Sequence, residues 1–339
     1  MDTALQSIGS AEVRRRRLLL AAGCALPGAF SSSLWAQSAA GPSVAKLLLG
    51  APPGGVGDMM ARRLADRLRG HYAPSVLIEN KPGAGGQLAV MAVKNGPDDG
   101  STLLLTPSSP MSLYPSTYRQ LPYKPESDLK PVALVAYSSM ALAVGPSVPA
   151  SVRRLEDFLA LVRQRPELAS YGSAASGSIS HLLVASVAHT HGTPLNHVAY
   201  KGSAPALQDL RAGILPALSG PVGTFLPHLG SGQIRLLAVS GDKRSTFVPD
   251  VPTYRESGFS ISAREWYGFF ATVTTRNELV QLASKALLTA MKHPSMAETL
   301  ALFGLEPGSG GPTELAAQLK ADRAEWAAQI LKIGFTADT

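Results

Sequence analysis

Cysteine is all but absent: Cys24 is the only one in 339 residues. No intramolecular disulfide can form, and neither a CxxC redox pair nor a cysteine zinc site is available. Charge is scarce as well, 16% of the chain against 45% hydrophobic, with a mean hydropathy of +0.09. That balance excludes the polar, self-repelling composition of a disordered chain. After the N-terminal segment no stretch reaches the roughly 18 consecutive apolar residues of a membrane span. Lys and Arg exceed Asp and Glu by 31 to 24, a net +7, but four of the arginines and only two of the acids lie in the first 36 residues, and without these the excess falls to +5. Elsewhere basic residues never cluster beyond twos and threes. Aromatics are 6% of the chain and are not interleaved with them, so nothing would stack bases while neutralising phosphates, and nucleic acid is excluded as a partner. The strong catalytic signatures are missing too: there is no GxxxxGK[ST], no HExxH and no GxSxG, and Gly83-Ala84-Gly85-Gly86 lacks the third glycine of a dinucleotide loop. No cofactor is implied.

What the N-terminus does contain is an address. Arg14 to Arg17 precede an apolar stretch from Leu18 to Phe30 that Gly23, Pro27 and Gly28 interrupt; Ser31 to Ala36 and the polar Gln37 follow. A charged region, a short apolar region and a small residue before a polar one make a secretory signal over residues 1–36, and predict a periplasmic mature chain starting near Gln37. Gly and Pro in the middle argue against a buried helix. Paired arginines before leucines fit a twin-arginine signal as well as a general secretory one. Lipidation of Cys24 is a further alternative, weakened by Ala21 in the place of the usual leucine. Cleavage at Ala36 would remove the only cysteine, and a core of about 300 residues needs no covalent staple.

Along the mature chain, short apolar strand candidates alternate with helical patterns. The strands are expected at 44–49, 76–79, 102–105, 132–135, 196–199, 234–239 and 267–271. Ala61, Leu64, Ala65 and Leu68 recur at helical spacing before Gly70, as do Ile179, Leu182, Leu183 and Val187, and two longer amphipathic helices are expected at 279–292 and 313–332. The fold class is α/β. A strand running into a Gly/Ser loop that opens a helix recurs: Pro52 to Gly57, with Asp58 expected as the N-cap; Thr106 to Ser109; Gly172 to Ser178; and Lys201 to Ser203. Such loops lie at the carboxyl ends of strands, where free N–H groups and about half a positive charge per helix N-terminus attract anions. Taken singly, each loop equally suits a turn and a cap.

Two catalytic readings are available from the histidines. His189, His191 and His197 form the best metal cluster, at a helix end, a turn and a strand start, but no Asp or Glu is near. His181 beside Ser173, Ser176 and Ser178 allows a secreted hydrolase using Ser176 or Ser178 with His181, although no acid orients the imidazole. No metal site is assigned.

The segments PPGGVGDMMARRLADRL (52 to 68), VLIENKPGAGGQLAV (76 to 90), DDGSTLLLTPSS (98 to 109), LPYKPESDLKPVALVA (121 to 136), YGSAASGSISHL (171 to 182), HVAYKGSAPALQDLRAG (197 to 213), IRLLAVSGDKRSTFVPDVPTYRESG (234 to 258) and WYGFFA (266 to 271) together resemble the Bug-type, TctC-like periplasmic receptors of tripartite tricarboxylate transporters. They stand in family order and cover nearly the whole chain after the signal. The resemblance implies a two-domain, type II Venus-flytrap periplasmic-binding-protein fold with two crossover segments, domain one at 41–138 plus 262–339 and domain two at 139–261. It implies a monomer without cofactor or enzymatic activity that captures a small organic carboxylate for membrane transporter subunits or a membrane sensor. The implied cleft residues are Gly54, Gly55, Asp58, Thr106, Ser108, Ser109, Ser173, Ser176, Ser178, His181, Tyr200, Lys201, Gly202 and Ser219, with one ligand carboxylate held through waters on domain one and directly by domain two. Three positions depart from the family pattern. Ala51 stands where an aromatic is common, Ser219-Gly220 where the family often has Asp-Asn, and Thr272 to Thr275 where it has a Pro-Gly-Pro-like turn. With no acid to receive an amine, the expected ligand lacks an α-amino group.

Overall fold

The computed structural model describes residues 41–337; the expected signal segment and Cys24 lie outside them. Eleven strands among the described residues form two sheets. The first contains β1 (Val44–Leu49), β2 (Ser75–Asn80), β3 (Thr102–Pro107), β4 (Leu129–Ser138), β10 (Glu265–Thr272) and β11 (Leu305–Gly310), in the order β11-β4-β10-β3-β1-β2. The second contains β5 (Met140–Val144), β6 (Ser170–Ser173), β7 (Asn196–Ala199), β8 (Ala217–Pro221) and β9 (Arg235–Val239), in the order β7-β6-β8-β5-β9. The β1–β2, β1–β3, β6–β7 and β6–β8 pairs are parallel, whereas β10 runs antiparallel between β3 and β4. Ser139 alone separates β4 from β5, so the chain enters the second lobe with no loop.

Helices cover both faces of the first sheet. Helix α1 (Val56–Leu68) lays Met60, Ala61, Leu64, Ala65 and Leu68 on one face, against Leu47, Leu105, Tyr267 and Phe269, the i, i+4 stripe that its sequence encodes. On the other face α2 (Gln87–Lys94) and the N-terminal half of α8 (Pro312–Ile333) meet Leu104, Trp266 and Phe270. The side chains of β10 therefore alternate between two cores, and every one is buried. Helices α6 (Asn277–Met291) and α7 (Pro294–Leu302) complete the α1 layer.

The second sheet lies between α3 (Leu155–Gln164) with α4 (Ile179–His191) on one side and α5 (Ser203–Arg211) on the other. One feature joins the lobes. Leu315 and Leu319 of α8 sit in the first-sheet core, whereas Trp326 and Ile330 of the same helix sit with Leu182, Leu183 and Leu142 of the second. Leu113 and Tyr114, from the helical turns after β3, join that second core.

Candidate functional site

The glycine loop after β1 is held from below. The sequence places Asp58 as an N-cap, but α1 begins three residues earlier than that requires, with Gly55 as its N-cap and Asp58 in its first turn. Helical backbone at Val56 and Gly57 carries Asp58 inward, where its Oδ2 accepts the Gly54 N–H at 2.9 Å. Arg62 one turn on approaches both carboxylate oxygens at 3.0 Å, and Asn80 Nδ2 bonds Oδ1 at 2.9 Å and the Ala51 carbonyl at 3.0 Å. Burial pushes the Asp58 pKa up, but bonds from Arg62, Gly54 and Asn80 outweigh it and hold the carboxyl below the usual range. Asn80, the second residue of ENKPGAGG, thus clamps the loop, a role that the sequence reading did not assign. With Asp58 saturated, what the loop offers outward is the start of α1, where the amides of Val56, Gly57 and Asp58 have no partner within the helix.

The start of α5 approaches that loop from the other lobe. Gly202 caps α5 at φ +100°, and a methyl group added there would lie 2.9 Å from Pro52 Cγ. The two glycine loops are thus in contact, and only glycine supplies both this backbone and this clearance. The Tyr200 hydroxyl donates to Asp209 at 2.8 Å, and burial, with this bond adding, raises the phenol to about 12. Lys201 is exposed. Ser219 is fully buried in β8 beside the Tyr254 phenol, and neither hydroxyl completes a hydrogen bond. The next residue, Gly220, faces α5 instead, with its vacant Cβ position 3.9 Å from Ser203 Oγ; strand alternation separates the two.

The Gly172 to His181 loop is folded on itself. Ser178 caps α4, accepting the His181 N–H and donating to the Ala175 carbonyl. The carbonyl of Ser176 accepts from the Tyr118 hydroxyl across the lobes at 3.2 Å. His181 Nδ1 accepts the Gly177 N–H at 3.0 Å, so the neutral ring carries its proton on Nε2. Neither Ser176 nor Ser178 has a hydrogen bond to the His181 ring, which removes the basis of the hydrolase reading. The pair that does form is Ser173 with His197 Nε2 at 2.8 Å, with Ser173 donating to the Ala175 carbonyl and fully buried. His197 also stacks on His181, ring centroids 3.6 Å apart and planes within 9°. Burial pushes both imidazoles down, to about 4 for His197 and, with the neighbouring ring adding, about 3 for His181. His191 bonds Thr193 instead of converging with His189 and His197, and no His/Cys/Asp/Glu group among the described residues has metal-site geometry.

The Thr106 to Ser109 loop carries buried hydroxyls. Thr106 bonds the Pro107 carbonyl, and Ser108 Oγ, with no exposed surface, lacks a partner. Ser109 Oγ donates to Glu265 Oε1 at 3.1 Å and accepts the Ile179 N–H at 3.1 Å. Glu265 is a second residue that the sequence reading missed. Its one visible signal is an acid heading the apolar run WYGFFA.

Comparison with known proteins gives one answer. Residues 60–335 match the sequence model of TctC, the tripartite tricarboxylate transporter family receptor. Protein BugT of Bordetella pertussis is 32% identical over 285 residues, spanning 84% of this chain and 87% of BugT. The structure of periplasmic binding protein BugD superposes with a TM-score of 0.80 at 27% identity, covering 87% of this chain and 98% of BugD. An R. palustris protein solved with adipate does so at 0.80 and 31% identity, covering 86% and 98%.

Proposed function

The chain belongs to the tripartite tricarboxylate transporter receptor family, and from that premise we propose that it is an exported, monomeric solute receptor that closes its two lobes around a small carboxylate lacking an α-amino group. The observation that carries this reading is the contact between Pro52 and Gly202, which brings the loop that leads into α1 against the N-cap of α5, one from each lobe. Free amides and two helix dipoles there stabilise an anion by about 0.3–1 kcal/mol per terminus at an exposed site, and by more where it is partly buried. At the starts of α1 and α5 an ammonium group has no free acid. Asp58 is saturated by Gly54, Arg62 and Asn80, and Asp209 receives Tyr200.

With the division at 41–138 plus 262–339 and 139–261, the lobes are joined by Ser139, by the return segment before β10 and by α8, whose Trp326 and Ile330 pack in the second core, and these are the connections about which the lobes move. A membrane transporter receives the captured solute, with a membrane sensor as the alternative recipient. The chain is a receptor without turnover. Adipate bound to the 31%-identical R. palustris protein makes dicarboxylates the first compounds to try. Calorimetry with matched pairs is the test. Saturable heat with succinate and weaker binding of aspartate supports the reading, tighter binding of aspartate overturns it, and release of alcohol from a panel of esters would reinstate an enzyme.

A further inference from the structure

Two glycines meet backbone to backbone where the lobes join. Gly223 lies in the helical turn Val222–Phe225 that follows β8 in the second lobe, and Gly304 lies between α7 and β11 in the first. A methyl group added to Gly223 would overlap the Phe303 carbonyl, and one added to Gly304 would lie 2.7 Å from both the Cα and the N of Gly223. The side-chain position that each leaves vacant is therefore taken by the backbone of the other segment. A Cα–H of Gly223 points at the Phe303 oxygen, a weak attraction that no other residue type could make in this direction.

Gly304 has φ +63°, which favours glycine by itself. Gly223 has no such reason. It is helical, outside the left-handed region, in a conformation that alanine adopts more readily. What the absent side chain provides there is clearance for the first lobe.

Both glycines are tied to the β4–β5 junction. Val222, just before Gly223, donates its N–H to the Ser139 carbonyl at 2.9 Å, and Leu305, just after Gly304, pairs with Ser138 on β4. We propose that Gly223 and Gly304 are positioning residues for capture: their contact lets the lobes reach the closed arrangement, in which Pro52 and Gly202 touch, and a side chain at either position holds the lobes short of it. This rests on the two-lobe receptor reading above. Neither glycine belongs to the loops assigned to the cleft, so substitution acts on affinity through the fraction of closed molecules.

Two measurements on residues 37–339, which carry no cysteine, decide the matter. The first needs no ligand. Pro52→Cys and Lys201→Cys place thiols on the two touching loops, and the rate at which a short bis-maleimide joins them reports how often the loops meet. In this background Gly223→Ala and Gly304→Ala should slow cross-linking severalfold. Gly192→Ala, with the same left-handed backbone as Gly304 (φ +64°) but open space around it, should leave the rate unchanged. The second is calorimetry with adipate and succinate on chains that keep Pro52 and Lys201. Affinity should weaken about tenfold in Gly223→Ala and Gly304→Ala and not in Gly192→Ala.

An unchanged cross-linking rate in a folded Gly223→Ala overturns the proposal, even if affinity falls, because the effect would then bypass the lobes. An equal loss in Gly192→Ala overturns it too. Should Gly223→Ala fail to fold, Gly304→Ala decides; failure of both while Gly192→Ala folds would make the contact a requirement of folding and also refute its role in closure. No heat with either acid in the wild type would count against the carboxylate reading instead, and the ligand-free rates would judge the glycines.

Discussion

Acidification should unfold this protein from inside the second lobe. The stacked His181 and His197 rings are neutral in the fold, with pKa values near 3 and 4, and return to about 6.5 in the unfolded chain. The unfolded chain thus binds protons first, and stability is present above pH 6.5 and falls as pH drops toward the folded values. Each pH unit on a ring that stays neutral costs about 1.4 kcal/mol. By pH 4.5, His181 removes about 3 kcal/mol and the less enclosed His197 about 2, together a large share of the roughly 5–15 kcal/mol that holds a folded protein. Urea denaturation at pH 7, 5.5 and 4.5, compared with His181→Asn, measures this share free of the carboxylates, which titrate in both proteins. Asn keeps an acceptor near the place of Nδ1 for the Gly177 amide. The wild type should be the more acid-sensitive of the two. Equal slopes, or imidazole resonances that titrate near 6.5 in the folded protein, would refute the reasoning.

Three substitutions probe the remaining framework. Asp58→Ala leaves the Gly54 amide, Arg62 and Asn80 without their acceptor and should cost about 3 kcal/mol of stability in thermal or urea unfolding; a loss below 1 kcal/mol would mean that the cluster is incidental. Gly202→Val puts a branched side chain at φ +100° against Pro52 and should weaken ligand affinity at least tenfold in calorimetry, whereas unchanged affinity would remove this contact from the site. Trp326→Ala empties a large volume in the core shared by α8 and α4 and should cost about 3–5 kcal/mol; a small change would show that the C-terminal half of α8 is not anchored there.

The sequence is most legible where one periodicity acts alone. Val44–Leu49 and Asn196–Ala199 fall where the apolar runs put them, and α1 buries the Ala61, Leu64, Ala65, Leu68 stripe. Three strands were missed because their local chemistry contradicts their place. Met140–Val144 follows β4 after a single residue with no turn signal, Ala217–Pro221 carries Gly and Pro, and Leu305–Gly310 contains Pro307 and two glycines. Only pairing with distant strands makes them extended, and β11 tolerates Pro307 because it is an edge. At the site, the glycine loops were visible as turn chemistry. Their supports were not: Asn80, His197 and Glu265 act on residues 22, 24 and 156 positions away in the chain, and no local pattern encodes such contacts.

The position of β10 dictates an order of assembly. This strand fills the slot between β3 and β4, yet it is synthesised only after every strand of the second sheet. Until it arrives, β3 and β4 each keep a ladder of unpaired backbone groups, and the aromatic residues that seal both cores of the first lobe are missing. The strands of the second sheet are contiguous in sequence and need no such wait. The inserted lobe can therefore form its sheet while the lobe that hosts it is still open, and the slow step of folding is a long-range closure made near the end of the chain.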